Sequence, residues 1–211
     1  MSTTAPCKDA STVLLSASAR LRASKAATTL FVTFRLAGSL PNQVIEQLKA
    51  EYAQPEYGQE EASQSYARQR RYFGAFDHLL DTDNLGPTWL RQAEVAAVVA
   101  EALHFRAGRE YTLWAYCLMA NHVHLLVSLL DEAANPFFRT LQSLKARTAR
   151  GCNELLGRTN AAFWQAESYD HCVRDAPEMD RIVAYILNNP VKAGLVDDWT
   201  QWPYTYLNPD W

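Results

Sequence analysis

Asn121-His122-Val123-His124 places two imidazoles two positions apart in a run of aliphatic and β-branched residues. Side chains two apart on a strand leave from the same face, so His122 and His124 can address one ion while Val123 enters the other side. Neutral imidazole is a common metal ligand; the plainer alternative is two polar residues on a solvated strand edge. Tyr185 and Asn189 form a second candidate, four apart beside the helical stripe Met179, Ile182, Val183, Ile186. That spacing makes them neighbours on a flank of the stripe, with a hydroxyl and an amide oxygen to offer. The alternative for Tyr185 is packing at a core edge, and Pro190 biases the residue before it away from helix, leaving the placement of Asn189 open. A third candidate is positive charge. Arg139, Lys145, Arg147, Arg150 and Arg158 face one acid, Glu154, and Arg68, Arg70 and Arg71 cluster earlier. Such groups either neutralise phosphates or form the solvated face of an amphipathic helix.

These residues need elements to position them. Thr28 to Arg35 reads as a strand, Asn42 to Ala50 and Ser63 to Leu80 as helices, and a further helix follows Gly86-Pro87-Thr88 to about Phe105. Tyr111 to Met119 and His122 to Leu129 read as strands joined tightly through Ala120-Asn121. A helix begins near Phe137, a short strand covers Ser168 to Val173, and Asp175 with Glu178 caps a last helix running to about Asn188, stopped by Pro190. Strand, helices, strand, strand, helix, strand, helix is the ferredoxin-like split pattern. It predicts an α+β fold with one antiparallel sheet covered by helices and a helical insertion, residues 41–86, in the first crossover. Residues 1–27 read as a disordered tail, with a faint likeness to an organelle transit peptide in its Arg/Ser bias; residues 28–211 read as a single domain.

Composition narrows the classes. The 211 residues are 48% hydrophobic and 20% charged, which excludes wholesale disorder. No uncharged apolar run reaches the ~20 residues of a membrane helix. The formal net charge of −3 leaves room for a local basic patch. Cys7, Cys117, Cys152 and Cys172 form no CxxC pair, so reduced thiols are expected.

Read together, three stretches resemble a known family. Ala115 to Val127 (AYCLMANHVHLLV) is similar to the metal-binding strand pair of HUH single-tyrosine transposases of the IS200-like type. Phe163-Trp164-Gln165 with Tyr169 to Asp175 resembles the approach to their catalytic helix, and Tyr185 to Leu195 (YILNNPVKAGL) resembles its end. The likeness covers roughly residues 28–196 and is closest to the REP-associated tyrosine transposase branch. It implies His122 and His124 as metal ligands, Tyr185 as nucleophile and Asn189 as a third, oxygen-donating ligand for Mg²⁺ or Mn²⁺. Relatives usually carry proline where this chain has Ala120, and often histidine where it has Phe31.

The implied reaction is cleavage and rejoining of single-stranded DNA at hairpin repeats through a 5′-phosphotyrosine intermediate, with the eight basic residues named above on phosphates. The covalent step conserves phosphodiester energy, so no nucleotide cofactor is required. The alternatives are a domesticated hairpin binder that does not cleave, and a metal-dependent hydrolase using the histidines to activate water. The expected setting is the cytoplasm, nucleoid-associated while acting, with no membrane partner; a homodimer and a monomer both fit the sequence.

Overall fold

The structure, a computed structural model, describes residues 28–53, 62–82, 86–130 and 136–211. The expected tail, 1–27, and most of the acidic stretch before the second helix lie outside them. The elements are β1 (Thr29–Leu36), α1 (Asn42–Glu51), α2 (Ala62–Thr82), a 3₁₀ turn at Trp89–Arg91, and α3 (Ala93–Arg106). There follow β2 (Tyr111–Leu118), β3 (His122–Leu129), α4 (Phe137–Leu155), β4 (Trp164–Cys172), α5 (Ala176–Lys192), a 3₁₀ turn at Trp199–Gln201, and β5 (Thr205–Leu207).

The strands form one antiparallel sheet in the order β4-β1-β3-β2-β5. Its first four positions are the order expected of a ferredoxin-like split pattern, so the α+β expectation holds. Strand alternation divides the core. Val32, Phe34, Val123 and Leu125 face α3 and α4, meeting Val99, Leu103 and Leu144. Phe31, Cys117 and Leu126 face the other way, onto Met179, Val183 and Ile186 of α5, with Phe73 of α2 packed against them. His122 and His124 share the parity of Leu126 and therefore look toward α2 and α5.

Three elements depart from the sequence reading. β4 begins at Trp164 rather than Ser168, because Trp164 pairs with Leu36 and its indole N–H donates to Thr148 Oγ1 at 2.8 Å. α5 runs through Pro190 to Lys192. Proline removes one intrahelical donor, and near a helix end the loss is tolerable. The Ala193 and Leu195 N–H groups then close on the carbonyls of Asn189 and Pro190, each at 2.9 Å, as Gly194 turns at φ 67°. β5 was not expected at all; three residues carry too little pattern to read. The Asp175 cap is present, its Oδ1 accepting from the Glu178 N–H at 2.7 Å. No helix among the described residues is long and apolar enough to cross a membrane.

Candidate active site

Both imidazoles begin β3, where the tight turn from β2 closes with the Met119 N–H on the His122 carbonyl at 2.9 Å. Each ring is held at Nδ1: His122 by Asn121 Oδ1 at 2.7 Å, His124 by Thr33 Oγ1 at 2.8 Å. The two Nε2 atoms then point at each other, 3.0 Å apart. Asn121 in turn donates from Nδ2 to the Leu80 carbonyl at 2.9 Å, fastening the end of α2 to the strand turn. Both histidines are fully buried.

The third member of the cluster comes from α2. Asp77 Oδ1 lies 3.1 Å from His124 Nε2 and 3.8 Å from His122 Nε2. These three are the described residues of metal-ligating type that converge on one point. The hydroxyl of Tyr185 donates to the other oxygen of Asp77, Oδ2. Lys192, one α5 turn beyond Asn189, puts Nζ 3.5 Å from Asp77 Oδ2 and 3.6 Å from Asp81 Oδ2. Phe31 stacks on His124 with ring centroids 5.8 Å apart and meets Tyr185 edge-on at 6.0 Å, while Phe73 closes the same side at 5.9 Å from Tyr185. Phe31 and Phe73 thus make this side of the site apolar.

Burial decides the protonation of these groups. It pushes His122 down to about 3, helped by the charge of His124, so the ring is neutral. Burial works against ionised Asp77, but the two histidines and the Tyr185 hydroxyl outweigh it and hold the carboxyl below its usual range. Tyr185 is driven far above an ordinary phenol by burial and then by Asp77, and is a protonated donor. Asn189 lies beside that hydroxyl and partly offsets the rise. Asp81 is lifted to about 6 by burial and then by Asp77.

A metal's fit can be judged from the donors. The side-chain oxygen of Asn189 is buried without a hydrogen-bond partner, although such atoms are ordinarily satisfied. Two imidazole nitrogens and oxygen donors suit a hard or borderline divalent ion. The residues present fit the group.

Of the residues singled out from sequence, Tyr185 meets the two histidines through Asp77, and Asn189 adjoins Tyr185. Tyr169 stacks on Phe73 at 4.4 Å, away from the Nε2 pair. The basic residues separate. Those of α4 lie on the sheet face opposite the histidines: Lys145 Nζ donates to the Ala166 carbonyl at 2.9 Å, Arg139 sits 5.9 Å over Phe138, and Arg147 and Arg150 line a groove against α3; Arg158, just beyond the helix, covers Trp89 at 3.8 Å. On α2, Arg68 donates to the Tyr52 carbonyl at 3.0 Å, Arg71 is exposed, and Arg70 adjoins the cavity beside Tyr185. Asp77 was missed. Its signal is a carboxylate four residues after Phe73 and three before Leu80, on the side of α2 that must be buried.

Residues 91–189 match the family model described as IS200-like transposase. The chain is similar to the IS200-like transposases. The matched stretch contains His122, His124, Tyr185 and Asn189 but not α2 with Asp77. Two relatives share the likeness, both assigned as REP-associated tyrosine transposases. The one from Haemophilus influenzae is 29% identical over 104 residues, 46% of this chain and 58% of its own. The one from Escherichia coli is 26% identical over 105 residues, 50% of this chain and 59% of its own. The chain thus spans under three fifths of the length of the curated relatives it matches. A solved REP-associated tyrosine transposase bound to a REP hairpin superposes with a TM-score of 0.50 at 17% identity, covering 88% of this chain and 85% of that one. At that identity it shares the fold.

Proposed function

We propose that this protein is a tyrosine transposase that cuts and rejoins single-stranded DNA beside a hairpin, with residues 28–211 as its catalytic unit, acting on DNA in the cytoplasm. One observation carries the reading: a protonated tyrosine hydroxyl on α5 and two Nε2 atoms on β3 share a single carboxylate, Asp77. A hydrolase that only activates water has no use for a buried phenol at that point.

In the proposed reaction the Tyr185 hydroxyl gives up its proton along its hydrogen bond to Asp77 as its oxygen attacks phosphorus, and the bond to the 3′ oxygen breaks. The products are a 5′-phosphotyrosine and a free 3′-hydroxyl, which takes up a proton. Attack by a 3′-hydroxyl reverses the step and joins a new pair of ends. Asp77 holds the hydroxyl toward the histidines, and Phe31 and Phe73 restrict its ring and exclude water. Lys192 brings a positive charge within reach of an entering phosphate. His122 and His124 would hold Mg²⁺ or Mn²⁺, with Asp77 and the unpartnered Asn189 oxygen as the oxygen donors. Such an ion supplies Lewis-acid polarisation of the phosphate.

The test is a labelled hairpin with a single-stranded tail, incubated with protein and Mg²⁺ or Mn²⁺ and resolved under denaturing conditions. A DNA–protein adduct is expected, absent in Tyr185→Phe and retained in Tyr169→Phe. Binding without an adduct would make the chain a hairpin binder. Cleavage that survives Tyr185→Phe would make it a hydrolase.

A further inference from the structure

Beside Tyr185, on the side away from the histidines, α2, β4 and α5 enclose a cavity of about 300 Å³. Its wall is aromatic: Phe73 and Tyr169 stack at 4.4 Å, and Phe31 meets both edge-on. The far end is held rigidly. Tyr66 donates its hydroxyl to Glu178, whose other oxygen accepts from the Arg174 N–H at 2.8 Å, and the Arg174 guanidinium covers the Tyr66 ring at 3.5 Å. Glu178 is therefore fully occupied and takes no ligand. At the rim, Arg70 and Arg181 are exposed, and neither has a carboxylate at ion-pair distance among the described residues.

Gly74, exposed on α2, borders this space. It lies in the interior of α2, where glycine is a poorer helix former than alanine. Neither of the usual reasons for glycine applies: no positive φ is found there, and an added Cβ would meet nothing within 4 Å. Yet Gly74 lines the cavity.

We infer that this cavity receives one unpaired nucleotide next to the phosphate that Tyr185 attacks, its base stacked on the Phe73–Tyr169 wall and a flanking phosphate held by Arg70 and Arg181. The inference rests on the cleavage reading and adds a subsite to it. A volume at the lower end of ligand pockets admits one base and no base pair. Stacking is sequence-tolerant because every base has a π face, and the exposed guanidinium groups of Arg181 and of Arg70, the latter 5.8 Å over the Tyr66 ring, supply the complementary charge at the mouth.

The experiment uses the full chain and hairpin DNA with a single-stranded tail, 2-aminopurine being moved along the tail one position at a time. Without divalent metal, one position adjacent to the bond mapped by adduct formation is expected to be quenched on binding. Gly74→Leu fills the hollow with a better helix former and is expected to melt no lower than wild type and to lose that quenching; Gly74→Ala keeps it. An abasic nucleotide at the position is expected to weaken wild-type binding about 5- to 100-fold and to leave Gly74→Leu binding unchanged. Uniform quenching along the tail, or an equal abasic penalty in both proteins, overturns the subsite. Adduct formation with a flat scan sinks the subsite alone; a single quenched position with no adduct on any tail sinks the cleavage reading alone.

Discussion

Asp81→Asn should stabilise the protein, and by an amount that depends on pH. Asp77 and Asp81 are one α2 turn apart and both turn toward α5, where Lys192 reaches both. Burial and then the charge of Asp77 raise Asp81 from 3.8 to about 6. For an acid raised on folding, the native state keeps a proton that the unfolded chain has released between about pH 4 and 6, so stability falls as pH climbs through that window. Each tenfold change in proton affinity is worth about 1.4 kcal/mol, so ionised Asp81 disfavours the fold by about 3 kcal/mol at pH 8. Lys192 is half-exposed, which lets water and salt relax the site, and an observed gain of about 1–3 kcal/mol is expected for the asparagine. Urea denaturation of both proteins at pH 4, 6 and 8 measures it: no difference at pH 4, and the full gain at pH 8. A variant less stable than wild type at pH 8, or a difference that does not change with pH, would refute the electrostatic account.

Three further outcomes follow from the geometry. On the proposed reading His122→Ala should lose the covalent adduct while binding hairpin DNA within about threefold of wild type, because a metal ligand would serve the transition state and phosphate contacts carry affinity; parallel loss of both in a gel-shift and adduct assay would make the histidine structural. Thr33→Val removes the hydroxyl that holds His124 Nδ1 and should weaken Mn²⁺ binding about 10- to 100-fold by calorimetry; unchanged affinity would remove Thr33 from the support of the site. Arg147→Ala with Arg150→Ala should flatten the log–log salt dependence by about 1.4 if both touch single-stranded phosphates, without altering the adduct at low salt, since α4 lies across the sheet from Tyr185; an unchanged slope would take α4 off the DNA path.

What the sequence displays, and what it conceals, follows from how each residue is placed. The His122–His124 pair is visible because a strand period of two is unambiguous once Ala120-Asn121 marks the turn. Tyr185 and Asn189 are visible as an i, i+4 pair, although Pro190 argues for ending the helix before it; the structure ends α5 later because a proline in the last turn forfeits little. Asp77 is concealed for a different reason. Its partners are 45 and 47 positions away on β3 and 108 away on α5, and no local spacing announces contacts of that range. β4 is half hidden because Gln165, Glu167 and Ser168 give an edge strand a solvated face without clean alternation. The basic residues of α4 illustrate the opposite error of economy. Grouping charges by sequence joins side chains that the sheet divides between two faces.

The two margins of the sheet bear on how one copy meets another. A bare strand edge invites pairing with a second chain. Here β2 is covered by only three residues of β5, but Asn208 prolongs the cover, its N–H donating to the Trp114 carbonyl and its Nδ2 to the Leu113 carbonyl, both at 2.8 Å. On the opposite margin, β4 carries Glu167 and Asp170, and Lys145 reaches across from α4 to occupy the Ala166 carbonyl. A second molecule adding its own strand would have to displace that ammonium and set like-charged carboxylates side by side. Both margins are therefore poor templates for continuing the sheet from molecule to molecule, and the same devices that finish the fold also guard it against ribbon-like aggregation.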